Sequence, residues 1–119
     1  MSEPARFTFP EKVNDTIKSG KNAGQLKTKS TTNLYRSLMH QITKETGVST
    51  IDELKKRHVK VNRAIIRMTA KKEGESESLH KSRVRNFYSA IFYVMPEEYL
   101  ASPNPYYKAF QKFKETPPE

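Results

Sequence analysis

Lys56, Lys60, Arg63, Arg67 and Lys71 recur at intervals of 4, 3, 4 and 4 residues. On a helix turning about 100° per residue, that spacing gathers five cations into one stripe, opposite the apolar set Val61, Ile65 and Met68. No acid interrupts residues 56–71. A row of ammonium and guanidinium groups on a rigid rod suits a row of phosphates, because each neutralised phosphate releases its counterions. A helix side that merely faces water has the same period, so the pattern alone leaves both readings open.

A second cluster, "SLHKSRVR" at 78–85, stands at the start of a long apolar pattern. Here His80, Lys81, Arg83 and Arg85 converge with Ser78 and Ser82 on a helix N-terminus, whose free N–H groups and dipole favour phosphate. Arginine in a major groove also reads guanine edges. The competing role is internal: Arg85 bridging to a carboxylate inside the bundle.

Other chemistry is missing. His40, His58 and His80 fall on different expected helices without HxxxH or HExxH spacing, so they read as surface histidines rather than metal ligands. The 4 glycines lie far apart and none opens a phosphate-cradling loop. "EGESE" at 73–77 lacks the ligand order of a calcium loop and reads as a solvated turn. No Ser/His/Asp set can be named. The expectation is a protein that is not an enzyme, with no catalytic residues, no metal and no cofactor.

Composition fits a binding role. With 22 Lys+Arg against 13 Asp+Glu, the 119-residue chain carries a formal charge of +9, which favours polyanionic partners. Hydrophobic residues make up 34 %, so one compact core is expected, in one domain. The absence of cysteine excludes disulfides and thiolate metal sites. "MSEPARFTFPEKV" lacks the apolar run of a signal peptide, and no stretch approaches the roughly 20 apolar residues of a membrane span. An intracellular protein is expected.

The elements that must position these residues are helical. Residues 1–29 read as a basic, mobile arm, broken by Pro4, Pro10, Gly20 and Gly24, with room for one short helix carrying Val13 and Ile17. A first helix follows from Ser30, with Leu34, Leu38, Met39 and Ile42 at helical spacing and Gly47 as its stop. Thr50 and Glu53 form a capping box for a short second helix. The third runs from about His58 towards Gly74. The fourth, about 78–95, is the most apolar, with Val84, Phe87, Tyr88, Ile91 and Met95 facing the core and Pro96 ending it. Asn104 and Pro105 then open a final helix through Tyr106, Phe110 and Phe113. No segment alternates with period two. The fold class is all-α: a compact bundle of four or five helices over 30–114, behind an arm at 1–29 and ahead of a tail at 115–119.

In this order the pieces resemble the core-binding domain of tyrosine recombinases, the SAM-like helical domain of phage integrases. "STTNLYRSL" looks like that family's S-x-x-T-x-x-x-Y opening, and "GVSTIDELKKRHV" is similar to its next short helix. "SESLHKSRVRNFYSAIFYVM" resembles its L-R-x-F-Y helix, and "SPNPYYKAF" its closing Asn-Pro segment. In the family that segment leads to the catalytic domain; here only "KETPPE" follows the last aromatic, which implies DNA binding without strand cleavage. Lys81-Ser82-Arg83 stands where the family often has small apolar residues.

The resemblance implies that Thr31 and Thr32, with Lys29 beside them, contact phosphate. Lys56, Lys60 and Arg63 would flank the groove, continued by Arg67 and Lys71, and His80, Lys81, Arg83 and Arg85 would face duplex DNA. It further implies a virus or mobile element as the source. Tyr106, Tyr107 and Phe113 are the candidate partner-facing residues, towards a catalytic recombinase domain or neighbouring subunits. The alternative is a structural protein, such as a small virion component that uses the bundle for protein contacts.

Overall fold

A computed structural model describes residues 6–14, 16–17, 20–101 and 104–115. Among them the chain forms an all-α bundle: α1 (Lys29–Thr46), α2 (Ile51–Lys56), α3 (His58–Met68), α4 (Glu77–Val94), α5 (Glu97–Ala101) and α6 (Pro105–Glu115). Five of these are the expected helices. The additional one, α5, is a single turn after Pro96, where a loop was expected.

Helix α1 starts one residue earlier than expected because Thr28, not a later serine, caps it: its hydroxyl accepts from the Thr31 amide at 3.2 Å. At the other end Gly47 adopts φ +79°, a left-handed turn that glycine takes without strain, and its amide closes on the Thr43 carbonyl. Leu38, Met39 and Ile42 are buried as the spacing predicts, whereas Leu34 lies on the open side. Thr43 and Thr46 complete the buried face; the Thr46 hydroxyl donates to the Ile42 carbonyl at 2.7 Å and accepts from the Val48 amide at 3.1 Å.

Helix α4 packs mainly on α1 and supplies Val84, Phe87, Tyr88, Ala90, Ile91, Tyr93 and Val94 to the core. The α4 aromatics therefore belong to packing, with Phe92 partly buried against the same core. Tyr88 donates to the Asn62 side chain at 2.9 Å, and burial raises its hydroxyl to a pKa of about 12. Helix α6 is capped by Asn104, whose Oδ1 accepts from the Tyr107 amide at 2.8 Å. Tyr106 is fully buried, and its hydroxyl donates to the Leu54 carbonyl, which ties α6 to α2.

Two expectations fail for a physical reason. Helix α3 stops at Met68 instead of running towards Gly74. The Thr69 hydroxyl donates back to the Ile65 carbonyl at 2.6 Å, and the Arg83 guanidinium takes the Ala70 carbonyl at 3.1 Å and reaches that of Thr69 at 3.4 Å. The second concerns the N-terminal segment, whose described residues are neither helical nor detached. Phe7 is buried, and the Thr8 amide donates to the Ser49 carbonyl at 2.7 Å. Asn14 finishes α4: its side chain donates to the carbonyls of Phe92 and Met95, each at 2.7 Å. These are helix-end acceptors with no partner inside the helix. Lys27 then reaches back to the carbonyls of Asn14 and Thr16 at 2.6 and 2.8 Å. A lysine expected on a loose arm instead fastens it.

Candidate nucleic-acid interface

The five-cation stripe does not form as one row. Arg57 interrupts the helix between α2 and α3, so Lys56 belongs to one element and Lys60 and Arg63 to the next. Arg67 is paired with Glu45 of α1 at 2.8 Å, and Lys71, beyond the end of α3, with Glu77 at 2.7 Å. Two of the five charges are therefore already met by acids from other elements. Sequence spacing shows which residues share a helix side, not which carboxylates another helix brings to them.

What remains is compact. Lys56, Arg57, Lys60 and Arg63 surround a shallow depression of about 460 Å³, completed by Val59 and Arg67, with no carboxylate in its lining. All four are exposed and carry no ion pair among the described residues. Arg57, next to Lys56 and three residues before Lys60, is not one of the five stripe residues; it sits at the break between α2 and α3 and lines the same depression. The depression is lined by cations, with guanidinium forks from Arg57 and Arg63 and point charges from Lys56 and Lys60.

The second cluster divides in three, since residues turning 100° apart cannot all face one way. Arg83 points inward: its Nε donates to Glu75 at 2.7 Å and a terminal nitrogen to the other carboxylate oxygen at 2.8 Å. Those bonds, with a further one from the Lys72 amide, hold the Glu75 carboxyl at a pKa of about 2. Arg83, not Arg85, is thus the internal bridge, and Arg83 is withdrawn from any ligand. Likewise the Lys71 ammonium, by its hydrogen bond, lowers the Glu77 carboxyl below its ordinary range. Of the three acids of "EGESE", Glu75 and Glu77 are thus structural partners, while Glu73 stays exposed in the turn at 73–74. His80 is half-buried, its ring edge-on to Phe113 at 6.2 Å. Only Lys81 and Arg85 point outward, and they flank a groove with Ser78, Ser82, Phe110 and Phe113.

The α1 residues stand apart from the α2–α3 depression. The Thr31 hydroxyl accepts from Thr28 at 3.0 Å, and that of Thr32 donates to the Lys29 carbonyl at 3.2 Å, so both are engaged within the first turn. Thr31 lies 14 residues from Glu45, or about 21 Å along α1. It lines a different cavity, with Asn14, Lys27 and Tyr35. Lys29 is exposed at this end.

Of the expected partner-facing residues, Tyr106 is excluded by its full burial. Burial also raises the pKa of its hydroxyl, with Tyr99 and Tyr88 adding to the effect. Tyr107 is 47 % exposed, and Phe113 is half-buried. Phe110, on the same helix, is also half-buried, edge-on to Tyr88 at 5.5 Å and Phe92 at 6.2 Å.

Among the described residues, no group of three or more His, Cys, Asp or Glu side chains is placed to hold a metal ion. Among the same described residues, no helix is long and apolar enough to cross a membrane. Compared with protein-family models, curated proteins and solved structures, the chain gives no match.

Proposed function

We propose that this chain is a non-catalytic DNA-binding module similar to the core-binding domain of tyrosine recombinases, and that it lays the α2–α3 junction on the phosphates of duplex DNA. The observation that supports this reading is the group Lys56, Arg57, Lys60 and Arg63, four exposed cations around one depression with no acid in its lining. In water, four like charges held together raise the local potential and disfavour their own proximity; a phosphate backbone relieves that repulsion and gains from counterion release. The overall charge of +9 adds long-range attraction. Backbone contacts of this kind position a protein without reading sequence. Mobility shift of a blunt duplex at low salt tests the proposal: retardation by the parent and its loss on K56A/K60A/R63A is the expected result. A parent that leaves the duplex unshifted would refute it.

A second reading, a protein-interaction module, draws on the exposed Ile66 (69 %) and Leu79 (60 %), with Ile66 at the cleft between α3, α4 and α6. Sedimentation of the purified chain distinguishes it: self-association that I66D abolishes while DNA binding persists would favour that reading.

A further inference from the structure

The groove between the first half of α4 and the last turns of α6 has a different chemistry from the α2–α3 surface. Its floor is Phe110 and Phe113, both half-buried and fixed by edge-on contacts to Tyr88, Phe92 and His80. Its wall is Lys81 and Arg85, exposed, one helical turn apart and without an ion pair among the described residues. Glu77 at the rim is already held by Lys71. The volume, about 540 Å³, lies in the range of roughly 300–1,000 Å³ typical of small-ligand clefts.

We propose that this groove takes unpaired nucleobases of a single-stranded nucleic acid, stacked on Phe110 and Phe113, with their phosphates on Lys81 and Arg85. This rests on the DNA-binding reading above and adds a second class of substrate to it. An acidic peptide would satisfy the two cations and leave the rings uncovered. A phosphodiester strand offers both a flat π-face and a negative charge in every repeat. The bases must be unpaired, because within a duplex their faces are covered by neighbouring pairs. Serines 78 and 82 beside the cations supply hydroxyl donors to the same phosphates.

The test measures anisotropy of a short labelled oligothymidine strand and of a blunt duplex, against the full chain and three variants. A strand carrying 2-aminopurine reports stacking through quenching. F110L/F113L keeps apolar bulk but removes both rings, and is expected to lose about tenfold in strand affinity, together with the quenching; duplex affinity should not change. R85A, on an exposed side chain, keeps the fold intact and is expected to weaken strand binding several-fold at low salt. K56A/K60A/R63A should do the reverse, weakening the duplex and sparing the strand. Duplex binding without strand binding would overturn this inference and leave the α2–α3 reading standing. Strand binding without duplex binding would support the groove and overturn the α2–α3 reading. Strand affinity unmoved by R85A, or a polyglutamate chain that competes as well as the strand, would overturn it too.

Discussion

Arg83 grips Glu75 with two parallel hydrogen bonds, at 2.7 and 2.8 Å, and the same guanidinium holds the Ala70 carbonyl at 3.1 Å. One side chain of α4 thus fixes the whole turn that follows α3. Because the Glu75 carboxyl drops from an ordinary 4.5 to about 2 on folding, the unfolded chain takes up that proton first as the pH falls. The contribution is complete above about pH 4.5 and is lost as the pH falls through about 2. The parent should therefore melt above E75Q at neutral pH, and the two melting curves should converge towards pH 2. A gap independent of pH would show that the ion pair adds nothing.

His40 makes a pH-dependent fastening of the N-terminal segment. Its Nδ1 accepts from the Phe7 amide at 3.0 Å, so the ring must be neutral there, and it lies edge-on to Phe9 at 5.3 Å. Burial lowers its pKa from 6.5, and the Arg6 and Arg36 charges add to the shift. A lowered histidine means the unfolded state binds the proton first, so stability falls as the pH drops below about 6.5. H40Q, which keeps an acceptor but cannot titrate, should flatten that fall. Amide exchange at Phe7 should accelerate in the parent over the same range and stay constant in H40Q.

The helices were legible because their signals are local. Gly47, the Thr50–Glu53 cap and the Asn104-Pro105 start each act within a turn, and the apolar spacing of α4 needs no knowledge of its neighbours. The interface was only half legible. Glu45 meets Arg67 across 22 residues, and Asn14 meets Phe92 across 78; nothing in the spacing of either partner announces the other. The N-terminal segment misled for the same reason. Its prolines and lysines have the composition of a loose arm, while its structure comes from long-range bonds to His40 within α1, to Ser49 in the α1–α2 loop and to the end of α4.

The Tyr106 hydroxyl ties the closing helix to α2. Y106F removes the bond to the Leu54 carbonyl and should cost about 1–2 kcal/mol, leaving a buried acceptor short of a partner. Y106A also opens a cavity and should cost about 3–5 kcal/mol. Urea unfolding with an unchanged m-value measures both. A Y106F midpoint equal to the parent's would mean the hydroxyl is idle.

Glu45 holds back one charge from the proposed DNA surface. The Arg67–Glu45 pair is exposed on both sides, so it is weak and screened by salt. E45Q frees Arg67 beside the depression and should tighten duplex binding at low salt with little change in melting temperature. R67A should weaken binding less than R63A, because Arg63 has no acid partner among the described residues. Equal losses for the two arginines would contradict the division of the stripe.

The salt dependence of duplex binding tests the central claim most directly. Four cations meeting phosphates predict a slope of log K against log[salt] of about −3 to −4 for the parent, and K56A/K60A/R63A should reduce its magnitude by about 3. Affinity in the variant should then be nearly flat with salt while its helicity is unchanged, since alanine favours helix. A parent that fails to bind at low salt, or a variant with the parent's slope, would contradict the assignment of the α2–α3 junction to DNA.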